Sequence, residues 1–351
     1  MTLKNLYLLN TPGCDHTAVA LGLALNFREQ GYRVGFFKPV GCPASSGQMD
    51  EEAALMQGVM SPDVPPETIM PFMAGPSYLS HRQSLSQLKD RMVQAYQQVA
   101  AYSDIVLISS PAAPYVGSGL QLDAASLALA FNAAVLVVAR VENDYSADQA
   151  IFYNEYLALR NIPVVGTLFN NVPRSLLAKI QGVYEPLLAE KNYVSVGIIP
   201  VQPAMTAPTV EEIHQALGGE ILAGEHNLHL RVEDVVVGAM TIESAISYLR
   251  RSPNKAVVTG GDRADLALAA LETSTSAVIL TGGLYPDVKL IARAEEKGVP
   301  LILVHQDTYS AVERLKDISH HIRPADQEAI AVAKDNISTY CHWQDILASL
   351  T

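Results

Sequence analysis

The feature that most constrains this chain is an alternation of two periodicities: short, nearly continuous apolar runs, separated by longer segments with helical spacing. Leu3 to Leu9, Tyr32 to Phe37, Ile105 to Ile108, Ala134 to Val138, Val164 to Phe169 and Val194 to Ile199 read as buried strands. Thr17 to Gln30, Leu85 to Ala101, Leu120 to Phe131, Ala147 to Arg160 and Ser175 to Glu190 read as helices. Strands apolar on both faces must be covered on both faces, which predicts a doubly wound parallel sheet, an α/β fold. Ser45 to Gly75, rich in Met and Pro, predicts loops and short helices.

Pro200, Pro203 and Pro208 interrupt regular structure, and a second alternation follows. Strands are expected at 235–239, 256–259, 277–281 and 301–304, with helices at 241–249, 264–272, 287–297, 308–316, 326–334 and 337–347. The reading is a first domain over 1–205, a linker over 206–218, a second, smaller α/β domain over 219–336 and a helical tail over 337–351. A chain of 351 residues has room for two such cores.

Composition narrows the function classes. Lys and Arg total 24 against 36 Asp and Glu, a net charge of −12 with no basic run, so nucleic acid is not expected as a partner. Apolar residues make up 49%, which fits a packed globular chain. Cys14, Cys42 and Cys341 are odd in number, widely spaced and without a Cys-x-x-Cys pair, fitting neither a disulfide framework nor a thiolate metal site and pointing to the cytoplasm. Met1 leads into a strand with no secretory segment, and the most apolar window, Ala124 to Ala139, is interrupted by Ser126 and Asn132, so no membrane span is expected.

Asn10-Thr11-Pro12-Gly13-Cys14-Asp15-His16-Thr17 joins the first strand to the first helix, where P-loops cradle phosphates. A working P-loop needs glycines to bring N–H groups onto phosphate, a Lys for β/γ oxygens and a Ser or Thr for magnesium. Thr17 suits the last role, but His16 stands where the Lys belongs and Asp15 where the final glycine belongs. A carboxylate about 4 Å from a phosphate charge opposes it by roughly 4 kcal/mol at an effective dielectric near 20, about a thousandfold in affinity. Asp15 reads as an N-cap for the helix at Thr17; the alternative is a weakened anion or nucleotide site using Gly13, His16 and Thr17.

Thr17-Ala18-Val19-Ala20-Leu21-Gly22-Leu23, then Gln30-Gly31-Tyr32-Arg33-Val34 and Phe36-Phe37-Lys38-Pro39-Val40, resemble in order and spacing the dethiobiotin-synthetase-like N-terminal region of long bacterial phosphotransacetylases. The resemblance implies a P-loop NTPase-like but degenerate domain. It implies that Lys38 holds substrate and phosphates, and that Ser109-Ser110 replaces an acid expected near magnesium. Gly166-Thr167-Leu168-Phe169-Asn170-Asn171-Val172 resembles the family's strand end whose Asn meets the base, which assigns Asn170, and Gly197-Ile198-Ile199-Pro200 resembles the next strand. From the residues alone, Lys38 also reads as a surface lysine and Asn170-Asn171 as a turn.

In the second alternation, Thr259-Gly260-Gly261-Asp262-Arg263-Ala264-Asp265 and Leu280-Thr281-Gly282-Gly283 follow adjacent strands, at the carboxyl ends where open α/β sheets bind ligands. Gly260, Gly261, Gly282 and Gly283 could turn N–H groups outward as a nest, with Thr281 between the pairs and Arg263 adding a permanently charged fork for an anion. The alternative has Asp262 as N-cap, the glycines as turns, and Arg263 paired with Asp262 or a partner chain. These residues resemble the DRTGG domain, found in the same phosphotransacetylases and beside CBS pairs in regulatory proteins. The two resemblances run from Leu3 to about Asn336, and the acetyl-transferring domain that follows in such enzymes has no counterpart here, so acetyl transfer is not expected.

Other constellations carry less. His320-His321 are adjacent and cannot share a helix face, and His226 and His229 lack supporting ligands. Gly117-Ser118-Gly119 reads as a turn rather than a nucleophile elbow. Cys14 lies near a helix N-terminus without a readable base. The sequence therefore points to a non-catalytic regulatory protein that binds a small anionic metabolite or nucleotide and modulates acetyl-phosphate or acyl-CoA metabolism. No catalytic or metal-ligating residue is assigned; an adenine nucleotide is the candidate cofactor, and a metabolic enzyme and further copies of the chain are the candidate partners. The alternatives are an ATP/Mg-dependent ligase-like or accessory enzyme using Thr17 and Lys38, and a structural homo-oligomer joined through its second domain.

Overall fold

The computed structural model describes residues 4–42, 50–61, 63–80, 85–111, 113–202, 205, 207–238, 241–316, 318 and 322–351; Pro203 and His320-His321 lie outside them. The chain forms two compact units, Met1–Gln202 with Ile322–Thr351, and Pro203–His321.

The first unit is built on six strands: β1 (Asn5–Asn10), β2 (Val34–Phe37), β5 (Ile105–Ser109), β6 (Ala134–Arg140), β7 (Val164–Val172) and β8 (Ser195–Pro200). They run in the order β2-β5-β1-β6-β7-β8, parallel throughout. A small side ladder pairs β3 (Val40–Gly41) with β4 (Phe72–Met73). The helices are α1 (Thr17–Glu29), α2 (Glu51–Met60), α3 (Pro66–Ile69), α4 (Leu85–Ala100), α5 (Ala124–Ala130), α6 (Asp144–Leu159), α7 (Leu177–Lys179) and α8 (Glu185–Glu190). Alternate residues of the central strands, Tyr7, Leu9, Val106, Ile108, Val135 and Val137, share one core with α4 and α5, where Phe37 meets Tyr96 and Phe131 edge-on at 5.9 and 5.5 Å. Because β1 has β5 on one side and β6 on the other, the chain changes direction across it, and the crevice at its carboxyl end is the natural ligand position.

Two elements differ from expectation. The helix expected over 175–190 is a run of α7, a π-helical turn at Ile180–Tyr184, and α8. The helix expected over 120–131 begins only at Ala124, where the Asp123 carboxylate caps the Ser126 N–H, and Gly117-Ser118-Gly119 leads into a 3-10 turn.

The second unit carries α9 (Val210–Leu217), β9 (Glu220–Ala223), β10 (Asp234–Val237), α10 (Ile242–Leu249), β11 (Lys255–Gly260), α11 (Ala264–Leu271), β12 (Thr275–Thr281), α12 (Val288–Lys297), β13 (Leu301–Leu303) and α13 (Thr308–Lys316). Its sheet order is β10-β11-β12-β13-β9, parallel except for the antiparallel edge strand β9. The residues expected as a linker instead form α9: Thr209 and Glu212 close a reciprocal capping box, and Val210, Ile213 and Leu217 share a core with Ile279, Ile302 and Val304.

The end of the chain also departs from the expected division. After Ile322 it returns to the first unit, as α14 (Gln327–Tyr340) and α15 (Trp343–Leu350). Helix α14 lies against α1: Asn26 Nδ2 donates to the Lys334 carbonyl at 3.1 Å, Ser338 Oγ donates to Asn26 Oδ1 at 2.7 Å, and Lys334 pairs with Glu29 at 2.9 Å. Phe27 meets Trp343 of α15 at 6.3 Å. The close approach depends on Gly22, where a Cβ would stand 2.4 Å from the Ala333 carbonyl oxygen. In an open helix Gly22→Ala would gain about 0.5–1 kcal/mol. Here overpacking against backbone, about 1–3 kcal/mol, should win, so we expect Gly22→Ala to lower the urea midpoint; a raised midpoint would show that α14 does not rest on α1.

Candidate functional site

The carboxyl end of β1 leads into a turn in which the Cys14 N–H donates to the Thr11 carbonyl at 3.0 Å and Gly13 takes a left-handed φ of +76°. Side chains from three neighbouring strand ends pin this loop by its carbonyls. Asn10 Nδ2 donates to Cys14 O at 3.0 Å, Arg140 Nη1 to Gly13 O at 3.1 Å and Asn170 Nδ2 to Asp15 O at 2.9 Å. Buried Asn170 therefore serves as a strut for the loop. Asn171 takes a φ of +53°, in keeping with the turn reading of that pair.

Helix α1 begins at Thr17 with His16 at the N-cap position, and His16 supplies no side-chain cap. The capping role expected of Asp15 is exercised from one residue further out: its Oδ1 accepts the Thr17 N–H at 2.9 Å. An N–H available to an anion at a helix N-terminus is thus occupied by the chain's own carboxylate. The Thr17 hydroxyl stands half-buried beside it.

Beneath the loop lies a buried polar cluster. Lys38, just after β2, donates to Asp50 Oδ1 and Glu52 Oε2, both at 2.7 Å. Ser109, ending β5, donates to the same Glu52 oxygen at 2.6 Å, and His16 Nε2 lies 2.6 Å from Ser109 Oγ and 3.4 Å from Glu52 Oε1. All five residues are buried, and Glu52 Oε1 has no hydrogen-bond partner among the described residues. The surface-lysine reading of Lys38 is thereby excluded. Burial by itself would push its pKa down, but the Glu52 and Asp50 charges and hydrogen bonds outweigh that and raise it above its ordinary value. Burial pushes Asp50 up, yet the Lys38 charge and the N–H groups of Cys42 and Ala53 bring it below the usual carboxylate range.

Asp50 and Glu52 were not among the residues expected at the site. Asp50-Glu51-Glu52 is readable as a capped helix start, since Asp50 accepts the Ala53 N–H and the acids occupy the first turn of α2. What the spacing does not reveal is that α2 carries Glu52 to the end of β5, where Ser109 stands in place of the family's acid.

The arrangement does not fit a magnesium nucleoside triphosphate. The Lys38 ammonium faces two carboxylates, one positive charge against two negative, and the histidine in the lysine position is committed to Ser109. Cys14 is buried and its thiol is pushed up to about 12, first by burial and then by Asp15, which removes any nucleophilic role at neutral pH.

In the second unit the strand pairing sets Gly260 opposite Thr281, so both glycine-bearing loops meet at the carboxyl end of the sheet. The outward-facing nest is not formed. The Gly261, Gly282 and Gly283 N–H groups donate to the carbonyls of Thr281, Gln306 and Val304 at 3.0, 2.9 and 3.0 Å, because the loops fold back onto the sheet. Thr281 Oγ1 lies 2.7 Å from Thr308 Oγ1. Arg263 rather than Asp262 occupies the N-cap position of α11, and it pairs with Asp265 at 3.2 Å rather than with Asp262. Asp262 is exposed, as are His226 and His229.

A family model described as an AAA domain matches residues 15–209, more than half of the chain, and one described as a DRTGG domain matches residues 212–318. The chain belongs to this AAA-domain family and carries a DRTGG domain. Similar proteins are a phosphate acetyltransferase of Pseudomonas putida, 24% identical with 93% of this chain and 49% of the relative covered, and one of Pseudomonas aeruginosa, 26% identical with 72% and 37% covered. The chain thus spans about half the length of the curated relatives it matches, in the two-domain order of their N-terminal half. Among solved structures, the Pyrococcus furiosus cell division ATPase MinD aligns over 58% of this chain and 86% of its own at 19% identity and a TM-score of 0.38. The CBS and DRTGG region of a Clostridium perfringens pyrophosphatase, complexed with diadenosine tetraphosphate, covers 41% of this chain and 70% of its own at 19% identity and a TM-score of 0.29. No helix among the described residues is long and apolar enough to cross a membrane.

Two outcomes test the site. Lys38→Met leaves two buried carboxylates without their cation and should destabilise by about 3–5 kcal/mol in urea, recovering in part in Lys38→Met/Glu52→Gln. In the wild type, the share due to Asp50, whose folded pKa is lowered, is complete above the unfolded value near 4 and fades as pH falls through the folded one; the Lys38 share, with a raised pKa, is present at neutral pH and is lost only in strong alkali. Separately, with Cys14 buried and pushed up to about 12, and Cys341 likewise, thiol titration of the native protein at pH 8 should label Cys42 alone, and rapid labelling of Cys14 would contradict the buried loop.

Proposed function

We propose that this chain is a non-catalytic regulatory protein, related to phosphate acetyltransferases, which binds a small anionic metabolite or nucleotide and modulates acetyl-phosphate or acyl-CoA metabolism. The observation that carries the reading is the Lys38 cluster. Asp50 and Glu52 occupy the ammonium that a phosphate would need, and Asp15 takes the Thr17 N–H. Expelling these carboxylates would leave charges uncompensated in a buried site, which phosphate binding cannot readily offset. The scaffold is therefore suited to transmitting a state rather than to cleaving a phosphoanhydride.

The anion is assigned to the second unit. Arg263 stands half-exposed at the carboxyl end of the sheet, beside the start of α11, and Asp265, one of its partners, is itself exposed. An exposed ion pair of this kind is weak and can exchange its carboxylate for a ligand phosphate or carboxylate. Gly260, Gly261, Thr281, Gly282 and Gly283 then act by shaping the loops rather than by presenting a nest. The panel to test is acetyl phosphate, which the relatives' name suggests, together with CoA and adenine nucleotides.

The test is a thermal-shift titration with that panel, alongside a magnesium-dependent phosphate-release assay. A member present at 100 times its Kd should stabilise by about 2.7 kcal/mol, a shift of several degrees. Arg263→Ala should abolish this shift and Thr17→Ala should leave it intact, with phosphate release at background throughout. Turnover that disappears in Thr17→Ala would overturn the reading.

A further inference from the structure

Helix α6 is apolar on two opposite faces. Its inner face, with Ala147, Ala150 and Leu157, is buried against the sheet. On the outer face Tyr145, Phe152 and Leu159 fall on one line at seven-residue spacing, and they are 75%, 61% and 84% exposed. A helix whose outward stripe repeats every seven residues has the pattern of a helix–helix seam. The stripe is already ordered: Tyr156 stacks on Phe152 with centroids 6.4 Å apart and planes 4° from parallel, and Tyr153 meets Phe152 edge-on at 5.5 Å.

A second ridge runs beside it. Lys179, Val183, Leu187 and Lys191 lie four apart along the α7–α8 run, and the end lysines are bonded to α6, Lys179 to Asp144 at 2.6 Å and Lys191 to Glu155 at 2.7 Å. Between them Val183 and Leu187 are exposed. An apolar surface rimmed by charged pairs in this way marks an interaction site.

We propose that this face is a self-association surface, on which α6 packs antiparallel against α6 of a second copy about a two-fold axis through Phe152. Phe152 lies midway between Tyr145 and Leu159, so this register sets Phe152 on its own equivalent and each Tyr145 on the other copy's Leu159, the self-complementarity that a two-fold interface demands. Charge selects the same register. Asp148, which has no cation partner among the described residues, falls opposite the other copy's Tyr156 and so beside its Glu155–Lys191 pair, where one ammonium can serve two carboxylates. A parallel pairing would set Asp148 against Asp148 and Glu155 against Glu155, and it would align the helix dipoles unfavourably. The surface belongs to the first unit and the Arg263 loops to the second, and association through it does not require the ligand assigned above.

The experiment is light scattering on the full chain, with cysteine cross-linking. The wild type should show two chain masses; Phe152→Glu and Leu159→Glu should each show one, with unchanged circular dichroism because both side chains are exposed. Under oxidation Phe152→Cys should form a disulfide with itself, and Leu159→Cys should not. A mixture of Tyr145→Cys and Leu159→Cys chains should form the mixed cross-link, with the wild type as control for the native thiols. A single chain mass at the highest soluble concentration, or a dimer indifferent to Phe152→Glu, overturns the proposal. A Leu159→Cys self-cross-link overturns the antiparallel register.

Discussion

One buried ammonium held between two carboxylates is the interaction on which the first unit depends. Lys38 follows β2, Asp50 and Glu52 begin α2, Ser109 ends β5 and His16 begins α1, so a single polar cluster ties four elements to the carboxyl end of the sheet. Such a cluster adds little net stability over an apolar one of the same shape, but losing any member strands the others without solvent. This couples the position of α2 to that of the loop above it.

The same cluster sets the charge that any ligand at this strand end would meet. The strand order and the helix start at Thr17 are those of a P-loop NTPase-like fold, in keeping with the family match. The charges are inverted. Where a phosphate would meet an ammonium and free N–H groups, it meets carboxylates, one of which caps the helix from Asp15. In the second unit the glycines likewise turn their N–H groups back onto carbonyls, which leaves a rigid loop pair with the Arg263 fork at its edge. Both units thus have the sheet-edge geometry of ligand sites with the donors largely satisfied from within.

Much of this was legible in the sequence. The strand and helix alternation, the domain pairing and the loop at Asn10–Thr17 follow from periodicity and motif order, because each depends on residues close together in the chain. The errors share a cause. Glu52 has no local signature as a site residue, because its partners lie at positions 16, 38 and 109. The edge strand β9 is short, and α9 is legible in the Thr209–Glu212 box and in the helical spacing of Val210, Ile213 and Leu217. The return of α14 to the first unit turns on one glycine in α1 and small residues in α14, a fit that no local pattern displays.

By itself, then, the sequence determined the α/β class, the location of both loop sites at strand ends, and the absence of a complete phosphate-binding motif, since backbone propensity, apolar period and side-chain charge are local properties. Tertiary structure alone decided that Lys38 is buried and neutralised, that the paired glycines face inward, that the last helices belong to the first unit, and that α6 leaves an aromatic stripe uncovered. Each of these turns on which distant groups come within a few ångströms of one another, and it is that proximity, through desolvation and pairing, that determines the energy of a buried charge or an N–H group.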